Sequence, residues 1–122
     1  MLLASKEKGG AANICVISST SGKNPPPSIG IYGSTKAALD NMVKFLALEL
    51  MGDGIRINSL APGIIRTDFA GPLIKNPDVP PEAIGDAYQI GSVAALICSK
   101  HDGGFMNGEI YTVAGGFSSG KL

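Results

Sequence analysis

The chain has 122 residues, 44% of them hydrophobic and 17 of them glycine, which is enough for one small globular domain and too little for two. Ten Lys and Arg balance ten Asp and Glu, so there is no basic footprint for nucleic acid and no charge excess for an anionic membrane surface; a small neutral ligand fits better. No apolar run approaches the ~20 residues of a membrane span, and "MLLASKEKGG" is too short and too soon charged for a secretory signal; the sequence reads as soluble and cytoplasmic.

In chain order, "ASKEKGGAANICVIS" reads as a helix end closed by Gly9-Gly10, then a continuous apolar run from Ile14 to Ile17. Such a run suits a parallel strand covered on both faces. The paired hydroxyls Ser18 and Ser19 end it, and the proline-rich "GKNPPPSIG" follows. From Tyr32 to Met51, Ala38, Leu39, Met42, Val43, Phe45, Leu46 and Leu50 recur at helical spacing until Gly52 and Gly54 stop the pattern. "GIRINSLAPG" predicts a second strand ending at Pro62-Gly63, "PPEAIGDAYQIGSVAALICSK" a second helix begun after its prolines, and "GEIYTVAGGF" a third strand. Cys15 and Cys98 each sit in an apolar segment and read as small buried hydrophobes of a reducing compartment, neither a disulfide nor metal ligands. His101 is a lone histidine in a polar loop without ligand partners at metal spacing. "GFSSG" (116–120) has the spacing of a hydrolase nucleophile elbow but no helix behind it.

Strand, helix, strand, helix, strand with connections of this length predicts an α/β fold with right-handed crossovers and a parallel sheet. Ligands of such sheets lie beyond the carboxyl ends of the strands. Those ends are Ser18-Ser19, Ala61-Pro62-Gly63 and Val113-Ala114-Gly115. The first residues of the long helix should reach the same rim. There, Tyr32 precedes Lys36 by four residues, which puts both on one helix face. A free phenol has a pKa near ~10, and a neighbouring cation lowers it by favouring the phenolate, which is how a tyrosine becomes a general acid/base. Ser19, from an adjacent strand end, would hydrogen-bond a substrate oxygen beside the phenol, and two donors polarise that oxygen. A bare Y-x-x-x-K is a weak signal; alone, these groups cap a helix and satisfy backbone.

Taken together, "ANICVISS", "YGSTKAAL", "IRINSLAPGIIRT" and "GEIYTVAGGF" resemble the short-chain dehydrogenase/reductase family over nearly the whole chain. That resemblance implies the carboxyl half of a doubly wound, Rossmann-like parallel-sheet fold. It also implies hydride-transfer chemistry on a small carbonyl or alcohol substrate with a nicotinamide cofactor, NADP(H) ahead of NAD(H). Carried over, Tyr32 is the acid/base, and Lys36 binds the nicotinamide ribose and lowers the tyrosine pKa. Ser19 holds the substrate oxygen, with Ser18 as the alternative. Pro62 and Gly63 form the turn against the nicotinamide, and the Ile65 backbone and Thr67 hydroxyl face its carboxamide. Without the resemblance Pro62-Gly63 is a turn and Thr67 a helix cap. Asn58 reads as support for the strand-turn.

Several family features have no counterpart here: the sequence has no G-x-G-x-x-G or T-G-x-x-x-G-I-G run to cradle a pyrophosphate, and no Asn-Asn-Ala-Gly segment. Residues 1–122 therefore read as a partial dinucleotide-binding domain without its Gly-rich half, which also admits a catalytically inactive paralogue that pairs with full-length family members. Homo-oligomers are the other partner expectation. "DFAGPLIKNPDVPPEA" reads as a shortened substrate cover. "LAPGIIRT", "ALICS" and "NGEIYTVAGG" resemble the peroxisomal carbonyl reductases of the family, and Gly120-Lys121-Leu122 is similar to an S-K-L address with Gly for Ser.

Overall fold

The computed structural model describes residues 12–116. Five strands and three helices follow one another as β1 (Asn13–Ile17), α1 (Gly30–Leu50), β2 (Arg56–Pro62), β3 (Ile64–Ile65), α2 (Gly71–Ile74), β4 (Ile84–Gly85), α3 (Ala87–Cys98) and β5 (Ile110–Val113). The main sheet has the order β1-β2-β5 and is parallel throughout. Asn13 pairs with Arg56 and Ile17 with Leu60, while Ser59 pairs with Ile110 and Pro62 with Val113. This is the α/β parallel-sheet architecture the sequence predicts. Among the described residues the outer edge of β1 has no strand beside it.

The period-two alternation of β1 sends its residues to two different layers. Ile14 and Val16 pack with Leu46 against a buried cluster of Val43, Ala47 and Ile57, which glues α1 to one face of the sheet. On the opposite face Asn13 Nδ2 donates to the Ile97 carbonyl at 3.1 Å, at the end of α3. Burying an aliphatic side chain such as Val43 or Ile57 contributes roughly 1.5–3 kcal/mol, so this cluster is the main hold on α1. The long helix ends where predicted. A 3₁₀ turn, Met51–Asp53, follows it, and Gly54 adopts φ 72°, a left-handed cap that glycine accepts without strain.

The second helix starts later than its prolines suggest. Pro81–Ala83 form only a 3₁₀ turn, and Ile84-Gly85 then pair in parallel with Ile64-Ile65. Asp86 follows as the N-cap of α3, its N–H donating to Gln89 Oε1 at 2.8 Å. The two cysteines also depart from the expectation of burial: Cys15 is half-buried and Cys98 exposed. Cys98 is the last residue of α3, where the helix runs out into an exposed turn.

Arg56, read only as a strand residue, ties three chain segments together. Its guanidinium donates to the carbonyls of Met106 at 2.7 Å, Ile97 at 3.1 Å and Ser99 at 3.1 Å, Ile97 being in the last turn of α3 and Ser99 its C-cap residue. Replacing Arg56 by Met keeps the aliphatic stem and strips these bonds. Urea unfolding followed by circular dichroism should show a loss of at least about 1.5–3 kcal/mol, the range for a single charge-assisted bond. A change under about 0.5 kcal/mol, as at an ordinary surface position, would contradict this role.

Candidate active site

At the carboxyl ends of β1 and β2 a cavity of about 970 Å³ opens between the strand ends, the start of α1 and the segment after β3. Ser19, Tyr32, Pro62, Gly63, Ile65 and Thr67 all line it. Lys36 does not. Its ammonium donates instead to the Ile17 carbonyl at 3.0 Å, and it stands 5.6 Å from the centroid of the Tyr32 ring, within cation–π range.

The two serines that end β1 have different partners. Ser18 is 4% exposed and its hydroxyl donates to the Lys36 carbonyl at 3.3 Å, which pins the second turn of α1 to the strand end. Ser19 is in extended conformation at the head of the 3₁₀ turn Thr20–Gly22, and its Oγ accepts from the Ser21 N–H at 3.1 Å. Accepting occupies a lone pair; the Ser19 hydroxyl hydrogen can still be donated into the cavity. Of the two candidates, Ser19 is the one whose geometry leaves a donor for a ligand.

Two features that sequence reasoning missed bring the loop and helix together. Gly33 directly follows Tyr32, and a Cβ there would lie 2.5 Å from Pro25 Cβ and 2.6 Å from the Ser21 carbonyl oxygen. Only glycine lets the proline-rich loop rest on α1. One turn beyond Lys36, the buried Asp40 accepts the Ser59 hydroxyl at 2.7 Å, joining α1 to the middle of β2. No sequence signal pairs residues in separate elements this way, although an Asp on the apolar side of a helix invites the question of a partner.

The remaining candidates are supporting or peripheral. Asn58 is fully buried, donating to the Met106 carbonyl at 2.8 Å and accepting from the Glu109 N–H at 3.1 Å, so it holds the β2–β5 connection as expected. Thr67 caps nothing with its side chain; its hydroxyl donates to the Ile65 carbonyl at 3.3 Å. Phe69, 6.4 Å from the Tyr32 ring between centroids, and Leu73 come from the segment read as a shortened cover, and both line the cavity. His101 is exposed beside Asp102, 3.2 Å away, and no cluster of three potential metal ligands occurs among the described residues. Within those residues no helix is long and apolar enough to cross a membrane. The Gly9-Gly10 helix end, Phe117 to Gly120 of the "GFSSG" run and Gly120-Lys121-Leu122 lie outside the described residues.

A family model described as Enoyl-(Acyl carrier protein) reductase matches residues 2–118. The chain belongs to the short-chain dehydrogenase/reductase family. It is 37% identical over 118 residues to dehydrogenase/reductase SDR family member 4 of Bos taurus, covering 89% of this chain and 42% of that protein. Against tropinone reductase-like 3 of Erythroxylum coca the identity is 35%, over 88% of this chain and 44% of the other. Among solved structures, 3-ketoacyl-(acyl-carrier-protein) reductase from Brucella melitensis complexed with NADH superposes with a TM-score of 0.83 at 28% identity, over 93% of this chain and 47% of that one. 4-Hydroxyisoleucine dehydrogenase complexed with NADH gives 0.82 at 27% identity, over 90% and 48%. The short-chain dehydrogenase/reductase chain described here thus spans under half the length of these relatives, and its sheet corresponds to part of their Rossmann fold.

The close approach at Gly33 makes a pair of alanine substitutions informative. Gly33→Ala should destabilise by about 1–3 kcal/mol, because a methyl overpacks the contact between loop and helix. Gly30→Ala, with nothing within 4 Å of its added Cβ, should be neutral or stabilising by up to about 1 kcal/mol. Equal effects in denaturant unfolding would mean that the loop does not depend on Gly33.

Proposed function

We propose that residues 1–122 are the catalytic, carboxyl half of a dinucleotide-binding domain whose whole protein is an NAD(P)-dependent oxidoreductase interconverting a carbonyl and an alcohol. The observation that carries this reading is the convergence of Ser19 and Tyr32 on one cavity whose wall also includes Pro62, Gly63, Ile65 and Thr67. Among the described residues no Lys, Arg, Asp, Glu or His lines that cavity, which supports a small neutral substrate. A group as polar as a nicotinamide is compatible with it through the hydroxyl and backbone donors on that wall.

The residues fit the nicotinamide end of the cofactor. Lys36 has three N–H donors and gives one to Ile17, which leaves two for a ribose diol. Pro62, the last residue of β2, and Gly63 are held against β5, the Gly63 N–H donating to the Val113 carbonyl at 2.9 Å, and a Gly63 Cβ would lie 2.8 Å from Ala114 Cβ. On this reading the Ile65 backbone and the Thr67 hydroxyl, both on the cavity wall, would meet the nicotinamide carboxamide. When bound, the nicotinamide supplies or accepts the hydride. In the reducing direction Tyr32 gives its phenolic proton to the carbonyl oxygen while the Ser19 hydroxyl holds that oxygen. In the oxidising direction Tyr32 takes the alcohol proton. The ammonium of Lys36 stands beside the Tyr32 ring, 5.6 Å from its centroid. NADP(H) is proposed ahead of NAD(H).

A second reading is supported by one observation. Phe45 and Leu48, three residues apart on one side of α1, are 47% and 71% exposed. On that reading the chain is an inactive subunit that pairs with itself or with full-length family members through α1. In either case the isolated chain should bind NADH or NADPH orders of magnitude more weakly than micromolar, since the charge-assisted phosphate contacts, each roughly 1.5–3 kcal/mol, have no Gly-rich cradle in its sequence. Cofactor fluorescence during titration reads this directly, and micromolar binding with turnover of a dicarbonyl would refute it.

The two readings separate in a chimera carrying the Gly-rich half of a family enzyme. The catalytic reading expects turnover there, and Tyr32→Phe should lower kcat by at least the ~10²-fold of a lost general acid while cofactor binding persists. Near-unchanged turnover in the Phe variant removes Tyr32 from the role. A correctly folded chimera that binds cofactor but does not turn over favours the inactive subunit.

A further inference from the structure

Outside the cavity, the molecule brings its two cysteines together. Asn13, Cys15 and Ile17 alternate onto one face of β1, and Asn13 fixes the direction of that face by donating to the Ile97 carbonyl at 3.1 Å. Cys98 is the next residue after Ile97, and Arg56 holds the carbonyls on both sides of it, Ile97 and Ser99, each at 3.1 Å. The end of α3 is therefore clamped beside the face of β1 that carries Cys15, and the Cys98 side chain neighbours the Cys15 thiol. The sequence separates them by 83 residues (98 minus 15) and gives no hint of the contact.

We propose that Cys15 and Cys98 are a redox-modified pair that closes, under peroxide, to an intramolecular disulfide tying α3 to β1. The chemistry balances with hydrogen peroxide as oxidant. The exposed Cys98 thiolate attacks one peroxide oxygen; the O–O bond breaks, Cys98 becomes a sulfenic acid, and hydroxide leaves to become water with the thiol's proton. Cys15 Sγ then attacks Cys98 Sγ, the S–O bond breaks, and the departing hydroxide takes the Cys15 proton as a second water. Two thiols are oxidised and one peroxide is reduced. The order follows from position. Burial, and after it the charge and hydrogen bond of Cys98, push the Cys15 thiol up from its ordinary range, so Cys15 stays protonated and waits as the resolving group. The second step is intramolecular between groups the fold holds close together, which is the source of its advantage over further oxidation by peroxide. The pair is independent of the nicotinamide reading and uses none of its residues.

The test is peroxide treatment of the folded 122-residue chain, alkylation of remaining thiols, and non-reducing peptide mapping beside a non-reducing gel. Expected is loss of both free thiols, a cross-linked peptide joining Cys15 to Cys98, a monomer band, and reversal by dithiothreitol. Cys15→Ser should instead leave Cys98 to proceed to sulfinic acid, and Cys98→Ser should leave Cys15 reduced at the same dose. Unfolding the wild-type chain in urea should slow bond formation, because the contact belongs to the fold. Disulfide-linked dimers, separate over-oxidation of both cysteines in the wild type, or equal rates in urea would each overturn the proposal. Closing so long a loop without strain should also raise the thermal midpoint, by roughly 5 °C or more; a lower midpoint would show that the native geometry does not accept the bond.

Discussion

The grip of the end of β1 and the middle of β2 on the first turns of α1 decides where Tyr32 and Lys36 lie. Ser18 at the end of β1 donates to the Lys36 carbonyl, Lys36 returns a bond to the Ile17 carbonyl, and Ser59 in β2 donates to Asp40 one turn further on. Each bond alone contributes on the order of 1 kcal/mol. Together they fix the rotation and height of the helix relative to the sheet. Had α1 turned by one residue, about 100° at 3.6 residues per turn, Tyr32 would have left the cavity and Lys36 the strand end. The apolar cluster of Val43, Ala47 and Ile57 supplies the adhesion, but aliphatic contacts tolerate sliding that directional bonds do not.

That division of labour explains what was legible in the sequence. The elements β1, α1, β2 and β5 announce themselves because continuous apolar runs and a 3.6-residue period are local properties. The rim position of Ser19, Tyr32 and Pro62 to Thr67 follows from parallel topology alone. What stayed hidden is pairwise and distant: Asp40 with Ser59, Gly33 under Pro25, Arg56 across the end of α3, Cys15 beside Cys98. The late start of α3 has the same cause. Pro80 and Pro81 carry a sound local signal for a helix start, but Ile84-Gly85 have a strand partner in Ile64-Ile65, and that tertiary pairing overrides the local preference.

The short β3–β4 ladder has a further effect on the site. It forces the chain between Thr67 and Ile84 to leave and return at neighbouring points, so this segment must form a closed flap. Phe69 and Leu73 are carried on that flap to the cavity, and the Phe69 ring stands near Tyr32. Arg66 and Asp86, each just beyond the ladder on one strand, form an exposed pair at 3.2 Å. Such a pair adds little stability, yet it spans the base of the flap. The length read from sequence as a shortened cover is thus enough to reach the tyrosine.

Fold and chemistry meet in the contrast between the two sides of β1. Its even-numbered residues, Ile14 and Val16, face α1 and serve the adhesion that holds the helix carrying Tyr32 and Lys36; its odd-numbered Asn13 and Cys15 face α3. A covalent link on the odd side would restrain the strand whose last carbonyl, Ile17, holds Lys36. The two faces are therefore mechanically continuous although they share no side chain. Because the strand is stiff along its length and paired to β2 from Asn13 to Ile17, a shift of α3 relative to β1 is carried to the rim only if the pairing with β2 yields. The same ladder is tied to α1, the helix that carries Tyr32, by the bond from Ser59 of β2 to Asp40.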